Sequence, residues 1–131
     1  MLQLKTILPG KPFKINSYTI TAYKVNHSVH AVGYIIEDKK GKRLLYTGDT
    51  GPTDEIWEVA KDIQCAIIEV SFPDKLKAMA IKTGHLTAGL LMKEISKMFV
   101  ATQMFDQHIA VNQKSAQELP FLSRAFQPCR V

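Results

Sequence analysis

The 131-residue sequence predicts an α/β fold in which helices pack against a mixed β-sheet. Two observations lead to this prediction. The first part of the chain consists of segments rich in β-branched and aromatic residues that are separated by short turns, which is typical of antiparallel strands. After Gly51 and Pro52 the apolar residues recur at helical spacing, and a continuous apolar run at 64–70 then indicates a strand between helices.

The first part of the chain contains four predicted strands: 2–7, 17–25, 31–37 and 43–47. Pro9 and Gly10 are expected to turn the chain after the first strand. Gly41 suits a hairpin turn between the last two strands.

The later elements alternate between helix and strand. Thr53 is predicted to cap a helix, and the run 64–70 is predicted to be a strand covered on both faces. A short helix is expected after Pro73, and Thr87 is expected to cap a longer one after the break at Gly84. Residues 1–98 then form one domain-sized region, and residues 99–131 form a divergent or poorly defined tail.

Composition indicates a globular domain. Apolar residues make up 46% of the chain, whereas no apolar run approaches the roughly 20 residues that cross a bilayer. No signal peptide is evident. Because two cysteines, Cys65 and Cys129, do not make a disulfide framework, we expect a reducing, cytoplasmic setting.

The net charge of +5 has two interpretations. The lysines are scattered, so a solvated basic surface accounts for them. Attraction of an anionic phosphodiester is the alternative. No basic patch is interleaved with aromatic residues, so the sequence does not favour nucleic acid as a partner.

Asp49 and His27 are candidate metal ligands because each follows a predicted strand, where loops carry function. A carboxylate can bind one divalent cation or bridge two that lie about 4 Å apart. A neutral imidazole can ligate a metal through one ring nitrogen. The alternatives are a plain turn in which Asp49 caps the next helix, and a surface histidine at His27.

Glu69 and His85 are candidates for proton transfer. Glu69 interrupts an apolar strand, and a buried carboxylate there needs a partner. His85 lies in a turn before a helix, where Glu69 could orient its imidazole. The alternative for Glu69 is an exposed strand end. We expect these four side chains, Glu69 and His85 with His27 and Asp49, to converge on one rim and to face a pair of cations.

The order of these segments resembles the second half of a metallo-β-lactamase-fold hydrolase. The residues that carry the resemblance are His27, Thr47-Gly-Asp-Thr50, Glu69-Val-Ser-Phe72 and Gly84-His-Leu-Thr87. They are most similar to the class II cyclic-nucleotide phosphodiesterases and more distantly similar to ribonuclease Z. The resemblance implies a partial metallo-β-lactamase fold over about residues 1–98, the second half of an αββα sandwich.

The resemblance also implies roles for individual residues. His27, Asp49 and His108 would be metal ligands, with Asp49 bridging two divalent ions. Zinc is the expected metal, and manganese or magnesium are alternatives. Glu69 and His85 would be the catalytic pair. The implied reaction is hydrolysis of a small phosphodiester such as 3′,5′-cyclic AMP by a metal-bound hydroxide, with His85 protonating the departing 3′-oxygen.

One departure from the family pattern limits these expectations. The motif His-x-His-x-Asp-His, which supplies most of the family's metal ligands, occurs nowhere in the 131 residues. We therefore expect an incomplete metal site and an inactive chain when it is isolated. The alternative function is a non-catalytic fragment or subunit that forms a homodimer or pairs with a chain that carries the missing half.

Overall fold

A computed structural model describes residues 4–98 and, for the backbone alone, residues 108–113. The described strands are β1 (Phe13–Ile15), β2 (Tyr18–Lys24), β3 (Val32–Glu37), β4 (Arg43–Tyr46), β5 (Cys65–Val70) and β6 (His108–Gln113). The described helices are α1 (Glu55–Val59), α2 (Lys77–Thr83) and α3 (Ala88–Ser96), with a 3-10 turn at Asp74–Leu76 before α2.

The six strands form one mixed sheet in their sequence order, which confirms the predicted fold class. Strands β1 to β4 pair antiparallel, and β4, β5 and β6 run parallel to one another. Strand β2 therefore points in the same direction as β4 and β5. As a result, the carboxyl ends of these three strands lie at the same edge of the sheet, and the loops that follow them can meet there.

The predicted strands correspond to β2, β3, β4 and β5, but the first predicted strand is wrong. Residues 4–7 form no strand, and the side chain of Leu4 is 90% exposed. The edge position beside β2 is taken by β1, which a tight turn through Asn16 joins to β2. Asn16 has a φ of 53°, in the left-handed region that asparagine tolerates.

The helices begin close to where the sequence predicts them. Thr87 caps α3, since its hydroxyl accepts a hydrogen bond from the backbone N–H of Leu90 at 3.2 Å. The predicted cap of α1 is wrong. Asp54 occupies the N-cap position of α1 without a side-chain capping bond, and the N–H of Thr53 donates to Glu94 instead.

The helices cover one face of the sheet. Alternate residues of β5, namely Ala66, Ile68 and Val70, are buried in one apolar cluster with residues of α1 and α3. The intervening residues of β5 are only half-buried, so the expectation of a strand covered on both faces is wrong in the described part of the chain. The second face of the sheet, which we call the half-exposed face, comprises Tyr34, Ile36, Leu44, Tyr46 and Ile67.

Two features bear on the surroundings of the chain. No helix within residues 4–98 combines the length and the apolar character that crossing a membrane requires. Cys65 is disulfide-bonded, a bond that the sequence analysis does not predict. In the tail, β6 is an element that the sequence analysis does not predict, and the other residues of 99–131 lie outside the described part.

The one-sided core predicts unequal effects for two adjacent isoleucines of β5. Ile68→Ala removes a fully buried side chain and should lower the free energy of unfolding by about 2 to 5 kcal/mol. Ile67→Ala, the matched control on the half-exposed face, should cost clearly less. Urea denaturation of both variants measures the difference, and equal losses would contradict a sheet that is covered on one side.

Candidate metal centre

Three ligand-type side chains meet at the edge of the sheet where β2, β4 and β5 end. His27 follows β2, Asp49 follows β4, and His85 lies between α2 and α3. Each is half-buried, and each offers one ligand atom such that the three atoms lie within 4.8 Å of one another. Of the four side chains expected to converge, the structure thus brings His27, Asp49 and His85 together, and their roles stay predictions.

Close contacts between backbones bring the three loops together. The N–H of Gly51 donates to the carbonyl of Asn26 at 2.7 Å, and the side-chain amide of Asn26 donates to the carbonyl of Pro52 at 2.8 Å. Asn26 precedes His27 directly, so these two bonds fix the His27 loop against the loop that carries Asp49.

Glycine is needed where the third loop joins the other two. Gly84 has a φ of +74°, and a β-carbon at this position would overlap the backbone of His27. A β-carbon at Gly51 would lie 3.1 Å from the Cα of Gly84. A side chain at position 84 would push the His27 loop away, so Gly84 is required for the three ligand-type side chains to meet, whereas a side chain at position 51 would need a shift of its neighbour by a few tenths of an ångström.

The two imidazoles have a spacing that fits a metal ion. Their Nε2 atoms lie 3.4 Å apart, and the rings of His27 and His85 are perpendicular with centroids 4.9 Å apart. Two ligands of one tetrahedral zinc ion, each about 2.0–2.1 Å from the metal, are about 3.3 Å apart. The ring of Phe72 packs against His85 with a centroid distance of 5.5 Å and limits its rotation.

The donor set also suits a divalent transition metal chemically. Two imidazoles and a carboxylate are ligands that zinc, manganese and iron accept. A catalytic zinc ion commonly has three protein ligands and one open position. His27, Asp49 and His85 together could therefore hold one cation, whereas a stable pair of cations needs more ligands than these three supply.

The tautomer of His27 matters for this fit. The N–H of Val29 lies 3.4 Å from Nδ1 of His27, so Nδ1 acts as the acceptor in this weak contact. A ligand nitrogen at Nε2 would require the proton on Nδ1. At 3.4 Å the Val29 contact is longer than a good hydrogen bond, and metal binding would replace it at little cost.

Glu69 has a partner beside the site. It is half-buried near the end of β5, and its Oε1 accepts a hydrogen bond from the hydroxyl of Ser71 at 3.1 Å. This bond provides the partner that a carboxylate in an apolar strand needs. The pairing of Glu69 with His85 stays a prediction.

His108 is not brought to this edge by the described backbone. It begins β6 and pairs with Cys65, at the amino ends of the parallel strands. The other three residues lie beyond the opposite ends of the strands. The side chain of His108 lies outside the described part of the chain, so its predicted role as a ligand stays a prediction.

Several residues that support the site were missed by the sequence analysis: Asn26, Asp74 and Glu94. Asp74 fixes the start of α3, because its carboxylate accepts a hydrogen bond from the N–H of Gly89 at 2.9 Å. Hydrogen bonds from the side chain of Thr87 and the N–H of Gly89 hold the pKa of Asp74 below its usual range. The sequence positions of two of these residues could have indicated a supporting role, because Asn26 adjoins the candidate ligand His27 and Asp74 follows Pro73, where a helix is predicted.

A recess of about 530 Å³ opens beside His27. Its lining includes Lys24, Val25, Val29, His30 and Val32. His30 lines this recess and is not part of the metal-ligand group found among the described residues.

Comparison with known proteins identifies the family. A family model described as Beta-lactamase superfamily domain matches residues 1–109. The chain belongs to the metallo-β-lactamase superfamily. The predicted partial metallo-β-lactamase fold is thereby confirmed.

Several relatives with similar sequences carry the name Ribonuclease Z. Ribonuclease Z of Pyrobaculum islandicum is 28% identical over 95% of this chain and 41% of its own length. Ribonuclease Z of Archaeoglobus fulgidus is 40% identical over 40% of this chain and 17% of its own length. The chain thus spans less than half the length of these curated relatives.

Solved structures share the fold at low sequence identity. The metallo-β-lactamase fold protein YhfI from Bacillus subtilis superposes with a TM-score of 0.69 at 17% identity, over 84% of this chain and 43% of that protein. The short form of human tRNase Z superposes with a TM-score of 0.57 at 18% identity, over 66% of this chain and 34% of that protein.

The close approach of the loops predicts a specific effect at Gly84. Gly84→Ala should lose metal binding, because the new methyl group would displace the His27 backbone. Gly41→Ala is the matched control, since Gly41 has a similar φ of +79° but open space around it. Both variants should lose about 1 to 2 kcal/mol of stability from left-handed strain.

Titration with Co²⁺, followed by absorption, compares metal binding by the two glycine variants. Metal binding that is weakened equally in Gly84→Ala and Gly41→Ala would contradict a role for the contact between Gly84 and His27.

The lowered pKa of Asp74 predicts a pH dependence of stability. Unfolded aspartate has a pKa of about 3.9, so the carboxylate stabilises the folded chain above that pH and this contribution is lost as the pH falls through the lower, folded pKa. Asp74→Asn should therefore melt below the wild type at neutral pH, and the gap should narrow as the pH falls through the lowered pKa of Asp74 in the folded chain.

Thermal melts of both proteins across this pH range test the expectation. Asp62→Asn is the control, because the side chain of Asp62 is 83% exposed and lies 3.9 Å from Arg43. A gap between Asp74→Asn and wild type that persists unchanged in strong acid would show that the charge of Asp74 is not involved.

Proposed function

We propose that this chain is part of a metal-dependent phosphodiester hydrolase. The observation that carries the proposal is the group of His27, Asp49 and His85, whose ligand atoms lie within 4.8 Å of one another at the edge of a metallo-β-lactamase-type sheet. A divalent cation bound there would supply positive charge for the phosphoryl oxygens and would lower the pKa of water.

The chain's own residues divide into two roles in this proposal. His27 and Asp49 hold the cation. His85 donates a proton to the departing 3′-oxygen, and Glu69 keeps the imidazole oriented. The 3.4 Å spacing of the Nε2 atoms of His27 and His85 would also suit His85 as a third ligand. The metal affinity of a variant that lacks the His85 imidazole distinguishes a ligand from a proton donor.

RNA is the substrate class that the comparisons favour. Relatives are named Ribonuclease Z, and the cyclic-nucleotide specificity expected from the sequence has no such support. The net charge of +5 agrees with an anionic polymer as substrate. A small cyclic nucleotide remains the second substrate to be tested, and zinc is the metal proposed.

Metal binding tests the site directly. Calorimetric titration with Zn²⁺ should detect weak binding at one site, and His27→Ala or Asp49→Ala should weaken it more than about tenfold, since even outer-shell partners are worth that much. His30→Ala removes a nearby imidazole outside the group and is the control. Equal weakening by His30→Ala would contradict the assignment of the ligands.

The variant His85→Ala distinguishes the two roles of this residue. If His85 is the acid alone, Zn²⁺ affinity should stay within about twofold of wild type, because His27 and Asp49 remain. A loss as large as that of His27→Ala would make His85 a ligand and would overturn its proposed role as the proton donor.

The isolated chain is expected to be inactive. The family motif His-x-His-x-Asp-His does not occur in the 131 residues, and three donors do not complete a dinuclear site. Purified chain with zinc or manganese should hydrolyse bis(p-nitrophenyl) phosphate no faster than buffer. Hydrolysis well above buffer that disappears in Asp49→Ala would overturn this expectation.

A second candidate function is that of a subunit that pairs with a chain carrying the missing motif, or with a second copy of itself. The half-exposed face favours this candidate, because Tyr46 is 45% exposed and its neighbours on that face are apolar. Exposed apolar faces of this kind commonly mark interfaces. Sedimentation of the chain alone tests the pairing of two copies, and sedimentation with a chain that carries the motif His-x-His-x-Asp-His tests the other form.

A cytoplasmic location also stays a proposal. It rests on the small number of cysteines in the sequence. The disulfide at Cys65 argues in the other direction, because such bonds persist in oxidising compartments.

A further inference from the structure

Glu94 is a buried carboxylate on α3 that the proposed chemistry does not use. It lies on α3, and its side chain is 5% exposed. A buried carboxylate is unfavourable unless hydrogen bonds compensate its lost hydration. The position of its partners therefore indicates what the carboxylate does.

All three hydrogen bonds to Glu94 reach the same oxygen. Oε2 accepts from the backbone N–H of Thr53 at 2.9 Å, from Nε1 of Trp57 at 2.7 Å and from Nζ of Lys97 at 2.9 Å. Thr53 belongs to the Asp49 loop, residues 47–54 between β4 and α1, and Trp57 belongs to α1. One carboxylate oxygen thus joins α3 to the Asp49 loop and to the helix that follows it.

Lys97 strengthens the same connection from the other side. Its ammonium group donates to the carbonyl of Thr53 at 2.7 Å and to Asp54 at 2.8 Å. Burial opposes the charged form, but the hydrogen bonds to Asp54 and Glu94 outweigh it and raise the pKa of Lys97. Thr53 is therefore held at both its N–H and its carbonyl.

Helix α3 connects this contact to His85. The helix begins at Ala88, three residues after His85, and Glu94 lies on its last turns. The residues of α3 are held at a fixed rise of about 1.5 Å per residue. The helix therefore fixes the distance between Glu94 and the turn that carries His85. The Asp49 loop is thus fixed at two places. Asn26, which adjoins His27, holds the loop at Gly51 and Pro52. Glu94, on the helix that follows His85, holds it at Thr53.

We propose that Glu94 is a positioning residue of the metal centre, and that its contact with Thr53 sets the distance of Asp49 from His85. This inference rests on the proposed metal-dependent function. A glutamine could not replace Glu94, because it lacks the negative charge that attracts the Lys97 ammonium, and its NH₂ group is a donor where Glu94 has a second acceptor oxygen.

The test compares Glu94→Gln with Ile95→Val, a substitution at the next, buried position of α3 that leaves the Thr53 contact intact. Co²⁺ serves as the metal probe, with affinity and absorption spectrum as readouts. Glu94→Gln should weaken Co²⁺ binding by about tenfold or more, as loss of an outer-shell partner does. The Ile95→Val variant should bind Co²⁺ with an affinity within about twofold of wild type, because this substitution removes only packing contacts.

A second readout needs no metal. In the presence of EDTA, Glu94→Gln should speed hydrogen exchange at the Thr53 amide and shift the amide signals of Gly48, Asp49 and Gly51. The Gly41 amide, which donates to Asp38 in a distant hairpin, is the internal reference. Ile95→Val should change none of these signals to a comparable extent.

The outcomes separate the two proposals. Equal weakening of Co²⁺ binding by both variants, or unchanged Asp49-loop signals in Glu94→Gln, would overturn the positioning role. If wild type binds no Co²⁺, the metal-dependent function fails and the metal-free signals alone decide the role of Glu94. If Glu94→Gln does not fold, Glu94→Asp replaces it, because its shorter side chain withdraws the carboxylate from the Thr53 N–H and keeps the charge; wild-type exchange at Thr53 in that variant would overturn the inference.

Discussion

The site depends on the close packing of three backbone segments. Ligand atoms of His27, Asp49 and His85 can meet only if the loops that carry them nearly touch, because these side chains are short. Gly84 against the backbone of His27, and Gly51 against Gly84, make this approach sterically allowed. The hydrogen bond from Gly51 to Asn26 then fixes it. Each of these contacts joins segments that are far apart in sequence.

The sheet places these segments at one edge. Because β2, β4 and β5 point in the same direction, their carboxyl ends share that edge, and the parallel pairing of β4 and β5 requires the crossover that contains α1. The crossover begins with the Asp49 loop. The core under the helices therefore determines the direction from which Asp49 enters the site, and the buried contact of Glu94 with Thr53 and Trp57 belongs to both the core and the site.

The half-exposed face and the three-donor site have a common structural origin. Helices in the described part of the chain cover one face of the sheet, and the edge above it carries three ligand-type side chains. The solved relatives are more than twice as long as the superposed part. Both features belong to a chain that covers less than half of the length of these relatives.

The sequence by itself determined the local elements and the types of donor. Strands β2 to β5, the left-handed turn at Gly84 and the Thr87 cap follow from patterns of a few neighbouring residues, and so do the placements of His27 and Asp49 at strand ends. Local patterns also misled: the alternation at 2–7 matches a strand, but β1 occupies the neighbouring edge, and strand choice depends on available partners. The strand β6 has no clear local signal.

Only the tertiary structure decided which side chains meet and what supports them. The Nε2 atoms of His27 and His85 lie 3.4 Å apart although the residues are 58 positions apart in sequence. The three groups that donate hydrogen bonds to Glu94 belong to the Asp49 loop, to α1 and to the end of α3. Such distances depend on how closely backbones approach across the sheet edge, which no local pattern encodes. Sequence specifies conformations over a few residues, whereas the site is a property of packing between distant segments.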